Sequence, residues 1–276
     1  MNNRDKSDLP LISVITVVYN GEKFLKNAIN SIKNQSYKNI EYIIIDGGSK
    51  DGTLEIIEQY RDVVDELIIE NDNGIYDAMN KGVKLAKGEY IGFLNSDDWY
   101  EADALYSVFI SSEFDSRYDF IYANLCICDS NGNYIYTYKS SLHNIKNKMT
   151  IGHPSVFIKS NVLKSTLFDL NFPIASDYDL VLNLLDKKVS LLYIDKVIVN
   201  FRLDGMSSNK NIGVEVFKVH NKHFGFFHSL IQFFRYQVFY VISWMLVFIL
   251  GKNRYNRMKC KIMDIKFDDK LFKFKS

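Results

Sequence analysis

Gly88-Glu89-Tyr90-Ile91-Gly92-Phe93-Leu94-Asn95-Ser96-Asp97-Asp98 is a short apolar run that stops on two adjacent carboxylates. The run predicts a strand, and the acids mark its carboxyl end. Neighbouring Asp side chains repel each other and gain nothing from packing, so a bound divalent cation or a sugar hydroxyl explains them most simply. Taken alone, Ser-Asp-Asp also suits an ordinary turn followed by a helix cap. The surrounding sequence has to decide.

Upstream, residues 11–18 form a nearly unbroken β-branched run that ends at Tyr19-Asn20-Gly21, the pattern of a strand buried on both faces. Leu25, Ala28, Ile29 and Ile32 then recur at helical spacing. Glu41-Tyr42-Ile43-Ile44-Ile45-Asp46 is a second buried strand, again ending on an acid. Gly47-Gly48-Ser49-Lys50-Asp51-Gly52-Thr53 breaks the chain; residues 54–64 read as a helix and 66–70 as a strand. A helix over 74–87 would gather Ile75, Met79, Gly82, Val83 and Ala86 on a core face, with Asp77, Asn80, Lys81 and Lys84 opposite. Such alternation predicts an α/β fold, a mostly parallel open sheet flanked by helices in the Rossmann manner. Ligands bind such sheets outside the carboxyl ends of the strands. Asn20, Asp46, Asp97 and Asp98 all fall there.

Two functional classes are disfavoured. Val18-Tyr19-Asn20-Gly21-Glu22-Lys23-Phe24 has one glycine where a dinucleotide fingerprint needs three, and no Gly-Lys-Ser or Gly-Lys-Thr occurs to cradle a triphosphate. Diphosphate charge would then be met chiefly by a metal at the Asp pair.

Four segments, taken in order, resemble glycosyltransferase family 2 with its GT-A fold, and in particular bacterial enzymes of surface-polysaccharide synthesis. They are Val14-Ile15-Thr16-Val17-Val18-Tyr19-Asn20, Asp46-Gly47-Gly48-Ser49-Lys50-Asp51-Gly52-Thr53, Gly74-Ile75-Tyr76-Asp77-Ala78-Met79-Asn80-Lys81-Gly82 and Asn95-Ser96-Asp97-Asp98. The resemblance covers roughly residues 10–205. Gly47 departs from the common Asp-Asp-Gly-Ser by lacking one acid. The resemblance implies that Thr16, Tyr19 and Asn20 line a nucleotide pocket and that Asp46 accepts a hydrogen bond from the base. It turns Asp77 and Asn80 toward the ribose and diphosphate, and assigns Asp97 to the ribose or sugar and Asp98 to Mg²⁺ or Mn²⁺. Strand-end packing for Thr16, Tyr19 and Asn20, an Asx-turn for Asp46 and a plain solvated helix face for Lys81 and Lys84 are the alternatives.

Ala175-Ser176-Asp177-Tyr178-Asp179-Leu180-Val181 opens a further helix. Ser176 and Asp179 have capping-box spacing, and Asp177 in the first turn suits the helix dipole. The family motif here reads acid-Asp; Ser176 replaces the first acid, and Asp177 keeps the position of the catalytic base. In an inverting transfer that base would take the proton of the attacking acceptor hydroxyl. A helix N-terminus weakens such a base unless its surroundings compensate. Gly152-His153-Pro154-Ser155 resembles the family's acceptor-side loop, and Arg202, with Phe201 before it and Gly205-Met206-Ser207 after it, is a candidate for the diphosphate. A structural histidine and a surface cation are the alternatives.

The C-terminal part has a different composition. Residues 238–250 hold Ser243 as their only polar member, too short a run for a span that takes about 20 residues, so an interfacial or re-entrant helix is expected. From Lys252 onward nine Lys and Arg face three Asp, a net of +6, whereas the rest of the chain carries 25 against 30, a net of −5. An apolar helix followed by a basic tail suits an anionic cytoplasmic leaflet; packing against protein is the alternative. The expected organisation is a GT-A domain over 1–210, with a nucleotide-sugar half at 10–100 and an acceptor half at 101–210, and a membrane-associating helical region over 211–276.

The whole chain has 276 residues, 47% of them hydrophobic, enough for one domain with a large core. Its three cysteines make neither a zinc site nor a disulfide framework, and Met1 to Asp8 is polar and unlike a signal peptide, so a cytoplasmic, peripheral or monotopic protein is expected. The even charge of the catalytic part gives no nucleic-acid footprint. The expected function is inverting, metal-dependent transfer of a sugar from a nucleotide diphosphate to a saccharide or lipid-linked acceptor. A catalytically silent sugar-nucleotide-binding or membrane-docking module and a nucleotidyltransferase are the competing readings.

Overall fold

β1 (Ile12–Val18) is buried along its whole length and lies parallel to β2 (Ile40–Asp46) on one side and β4 (Tyr90–Phe93) on the other. The computed structural model describes residues 9–203 and 212–251. With β3 (Glu66–Ile69) parallel to β2, the first four strands form the order β3-β2-β1-β4. All four run the same way, which brings the ends of β1, β2 and β4 to one rim.

Beyond β4 the sheet becomes mixed. β8 (Val156–Lys159) is antiparallel to β4 and to β6 (Phe120–Cys128), and β9 (Leu191–Arg202) returns parallel to β6. β5 (Trp99–Tyr100) closes the order against the end of β9, and β7 (Tyr134–Tyr138) pairs with β6. The pairing of Trp99 with Asn200 matters for function, because it brings the residues after Asp98 beside Arg202.

Alternation along β1 divides the core into two layers. Ile12, Val14 and Val18 pack toward α1 (Leu25–Lys33), α2 (Thr53–Gln59) and α4 (Ala104–Phe109). Ile15 and Val17 pack toward α3 (Ile75–Leu85) and α6 (Ser176–Asp186). Leu25, Ala28, Ile29 and Ile32 are all buried, as their spacing predicts. α3 lies close to β1 because Gly82 has no side chain: a Cβ there would stand 2.6 Å from Ile15 Cγ2.

α2 ends at Gln59, short of the expected 64, and α3 ends at Leu85, short of 87. In the first case Arg61 folds back to donate to the Val64 carbonyl. In the second, the Lys87 N–H is drawn away to the buried Glu41 carboxylate at 2.7 Å. A short helix α5 (Ser160–Lys164) follows β8. α7 (Ile212–Phe224) and α8 (Phe226–Leu250) form a helical hairpin about Gly225, which has φ +81. Phe217 meets Phe233 and Phe224 meets His228, so the two helices run antiparallel. The residues named above at 205–207 and the basic tail from 252 lie outside the described residues, and so does the expected domain boundary at 210.

Candidate active site

The ends of β1 and β2 are tied together by their own loops. Asp46 is fully buried; its Oδ1 accepts the N–H groups of Gly48 at 3.0 Å and Ser49 at 2.9 Å, and its Oδ2 accepts the Ser49 hydroxyl at 2.5 Å. Ser49 Oγ in turn accepts the Asn20 N–H, and Asn20 Oδ1 accepts the Lys50 N–H, both at 2.8 Å. Asn20 takes φ +51, which short amide side chains tolerate. Both Asp46 oxygens are thus engaged within the loop, Oδ1 closing an Asx-turn with Gly48. Tyr19 is 64% exposed, and its ring lies beside Gly47.

Two expected pocket residues turn inward instead. Thr16 is fully buried and accepts a hydrogen bond from the Tyr42 hydroxyl at 3.0 Å, because its side chain falls on the α1 face of β1. Asn80 is buried too: its Nδ2 donates to the Phe168 carbonyl at 2.9 Å and its Oδ1 accepts the Phe168 N–H at 3.0 Å. The helical period places Asn80 opposite Met79, but a chain segment from much later in the sequence covers that side. Asp77, expected at the ribose, closes the first turn of its own helix by accepting the Asn73 N–H at 3.0 Å and pairing with Lys81 at 3.7 Å.

Asp72 was not singled out from the sequence. Its carboxylate occupies the space above Gly47, where a Cβ would stand 2.5 Å from Oδ2, and Asn71 similarly approaches Gly48. The paired glycines were the signal: they admit a close neighbour, and the 71–74 loop fills the place with an acid beside Tyr19.

At the end of β4, Asp98 is 1% exposed. Its Oδ1 accepts the Arg202 N–H and its Oδ2 the Asn95 side-chain amide, both at 3.0 Å. Burial pushes the Asp98 carboxyl well above the ordinary range, and the neighbouring charge of Asp97 adds to it; burial raises Asp97 as well. Asn95 Oδ1 is buried without a hydrogen-bond partner. Two crowded carboxyl groups disfavouring ionisation, with an orphaned amide oxygen beside them, form a hard-oxygen set that suits Mg²⁺ or Mn²⁺. Among the described residues no group of three or more His, Cys, Asp or Glu is placed to hold a metal, so the rest of a coordination shell would come from ligand and water.

Arg202, the diphosphate candidate, is turned inward. Its guanidinium lies 4.1 Å from the Phe24 ring centre and 5.0 Å from that of Trp99, with Nε donating to the Asp97 carbonyl at 3.2 Å and Nη1 to that of Ser130 at 2.8 Å. It is 3% exposed and braces the Asp pair from behind.

Asp177 stands in the first turn of α6, partly exposed. The Tyr76 hydroxyl donates to the Ile174 carbonyl at 2.9 Å or to Asp177 Oδ1 at 3.1 Å, and the Tyr178 N–H reaches the same oxygen at 2.8 Å. Burial, with Asp177 beside it, holds the Tyr76 hydroxyl well above the usual phenol range. The expected capping box is absent. Ser176 Oγ is buried without a partner, and Asp179 turns away to Lys222 Nζ and His223 Nε2, both at 2.9 Å.

His153 is buried against the end of β4. Its ring stacks on Phe93 at 5.2 Å, two residues before Asn95, and meets Phe168 edge-on at 5.7 Å. Burial lowers its pKa, opposed by Asp177, and its Nε2 has no partner. Phe93 is the last residue of β4, so the histidine that shares the field of Asp177 stacks at the strand end from which the chain runs on to Asp97 and Asp98.

Residues 13–171 match the glycosyl transferase family 2 profile, more than half of the chain. The chain belongs to glycosyltransferase family 2. An uncharacterized glycosyltransferase of Rickettsia typhi is 32% identical over 218 residues, which is 72% of this chain and 66% of that protein. The chain thus spans just under two thirds of that relative's length. TuaG of Bacillus subtilis, a glycosyltransferase named for teichuronic acid biosynthesis, is 40% identical over 100 residues, 35% of this chain and 39% of TuaG. Staphylococcus aureus TarS, in complex with UDP-GlcNAc, superposes with a TM-score of 0.58 at 21% identity, over 75% of this chain and 65% of that one. The mannosyltransferase PcManGT of Pyrobaculum calidifontis, with GDP-Man and Mn²⁺, gives 0.56 at 15% identity, over 85% of this chain and 66% of that one. At these identities the structural likeness speaks for the GT-A fold, a curled mixed sheet with flanking helices.

Proposed function

We infer that this family 2 chain is an inverting, metal-dependent glycosyltransferase, moving a sugar from a nucleotide diphosphate to a saccharide or lipid-linked acceptor in bacterial surface-polysaccharide synthesis. What supports this reading is the Asp97-Asp98 pair at the carboxyl end of β4, with Asp98 buried and the unpartnered Asn95 Oδ1 beside it, together with His153, which stacks on Phe93 at the end of the same strand and lies in the field of Asp177. Tyr19, Asp72 and the Asp46 loop would receive the nucleotide. Mg²⁺ or Mn²⁺ held at Asp98, with Asp97 and Asn95 Oδ1 alongside, would supply positive charge to the leaving diphosphate. Asp177 takes the proton of the acceptor hydroxyl as its oxygen bonds to the anomeric carbon. The bond to the diphosphate breaks on the opposite face, and its electron pair leaves with the nucleotide. A single displacement of this kind inverts the anomeric centre.

The helical hairpin supports a membrane-surface setting. Phe227, Ile231, Phe234, Val238, Ile242, Met245 and Ile249 are each at least half exposed and recur every three or four residues along α8. No described helix is long and apolar enough to cross a membrane. α8 has 25 residues and α7 has 13, so roughly 18 Å of α8 extends past its partner at 1.5 Å per residue. An apolar stripe followed in sequence by a net +6 tail matches an anionic bilayer in both chemistry and charge.

The test is Mn²⁺-dependent binding across a panel of UDP-, GDP- and dTDP-sugars, read by thermal shift in wild type and Asp98→Asn. One donor should raise the wild-type midpoint only with Mn²⁺ present and leave Asp98→Asn unmoved. An equal shift in the variant would refute the metal role of Asp98.

A further inference from the structure

Glu215 lies on α7, beyond the residues that match the family profile, and is buried. Its Oε2 accepts the N–H groups of Ile174 at 2.8 Å and Ala175 at 2.9 Å. Those are the two amides immediately ahead of α6. The helix has no side-chain cap of its own there, since Ala175 brings no acceptor and Ser176 Oγ is unpartnered. A carboxylate from a distant helix therefore meets the positive end of α6, one turn from Asp177. The acid that the family motif carries at position 176 is missing, and Glu215 brings one to the same helix end.

The two amides that Glu215 holds set where the first turn of α6 begins, and Asp177 stands in that turn. Asp177 accepts the Tyr76 hydroxyl from α3 and lies in the field of His153 from the turn before β8, while Asp179 is engaged by Lys222 and His223. Tyr76 stays neutral, and burial disfavours the charged form of His153. The charge of Glu215 reaches the Tyr76 hydroxyl that contacts Asp177.

We propose that Glu215 is a positioning residue for the transfer reaction: it fixes the amide end of the helix that bears Asp177, and with it the placement of the Asp177 carboxylate. This rests on the reading of Asp177 as the base. α7 is accordingly part of the catalytic apparatus as well as one arm of the hairpin.

Glu215→Gln retains an oxygen that can accept both amides, whereas Glu215→Ala leaves them unmatched. In the full chain, assayed where each variant is folded, Glu215→Ala should lower kcat by roughly tenfold or more while the donor KM stays within about twofold, and Glu215→Gln should restore kcat to within about threefold of wild type. Where Glu215→Ala does not fold, Glu215→Asp, one methylene too short to reach both amides, takes its place with the same expected loss of kcat. A wild-type kcat in the folded Glu215→Ala or Glu215→Asp variant would reduce Glu215 to a plain cap and overturn the proposal. Asp177→Asn, assayed alongside, separates the two claims: wild-type transfer there removes the base itself, whereas an inactive Asp177→Asn with a wild-type kcat at the Glu215 variant removes only the role of Glu215.

Discussion

Asn80 shows how a single side chain can belong to the scaffold while sitting in a motif associated with ligand binding. It behaves as a segment of backbone, offering one donor and one acceptor to Phe168, whose ring then stacks on Tyr76 at 5.1 Å and touches His153. Replacing it by alanine leaves a buried N–H and a buried carbonyl unmatched, at a cost of about 2–4 kcal/mol. Asn80→Ala should therefore unfold at clearly lower urea while its donor dissociation constant stays within a few-fold of wild type. Weakened donor binding at unchanged stability would instead return Asn80 to the ribose. Thr16 is a similar case. Periodicity identifies which face of a strand a residue occupies, but in a sheet covered on both sides neither face is open, and only the last residues of a strand reach the rim.

At the scale of elements, the strands and first helices were readable because their patterns are local. The buried runs of β1 and β2 and the four-residue stripe of α1 follow from burial on both faces or on one. The helix ends were not readable, since Arg61 and Glu41 act on them from outside the helix. The capping-box spacing of Ser176 and Asp179 likewise does not fill the start of α6, because the group that does so comes from α7, some forty residues on. α8 is the element that makes a prediction of its own. Its stripe is exposed, so Ile242→Glu with Ile249→Glu should leave the fold intact while reducing pelleting with phosphatidylglycerol vesicles by more than about tenfold, given the roughly 1.5–3 kcal/mol that full burial of each side chain is worth. Wild-type binding should also weaken at high salt. Pelleting that the double variant leaves unchanged would contradict the membrane assignment, and concentration-dependent dimers without vesicles would favour a second copy as the occupant.

Across the whole molecule, the parallel first half gathers strand ends on one rim, the mixed second half returns β9 against β5, and the helical hairpin locks α6 through Glu215, Lys222 and His223. The rim positions of Asn20, Asp46, Asp97 and Asp98 were legible from strand patterning alone. What patterning leaves out is the direction of each side chain once distant segments pack over it, as with Arg202, which turns between Phe24 and Trp99 to brace the acids. The account as a whole requires donor binding and acceptor activation to reside in different side chains of one site. Asp177→Asn tests that division most directly, by donor titration and single-turnover transfer on the same preparation: donor affinity should hold within about twofold while transfer falls by roughly 10²–10⁴-fold. Transfer that survives, or donor affinity lost in parallel with it, would contradict the account.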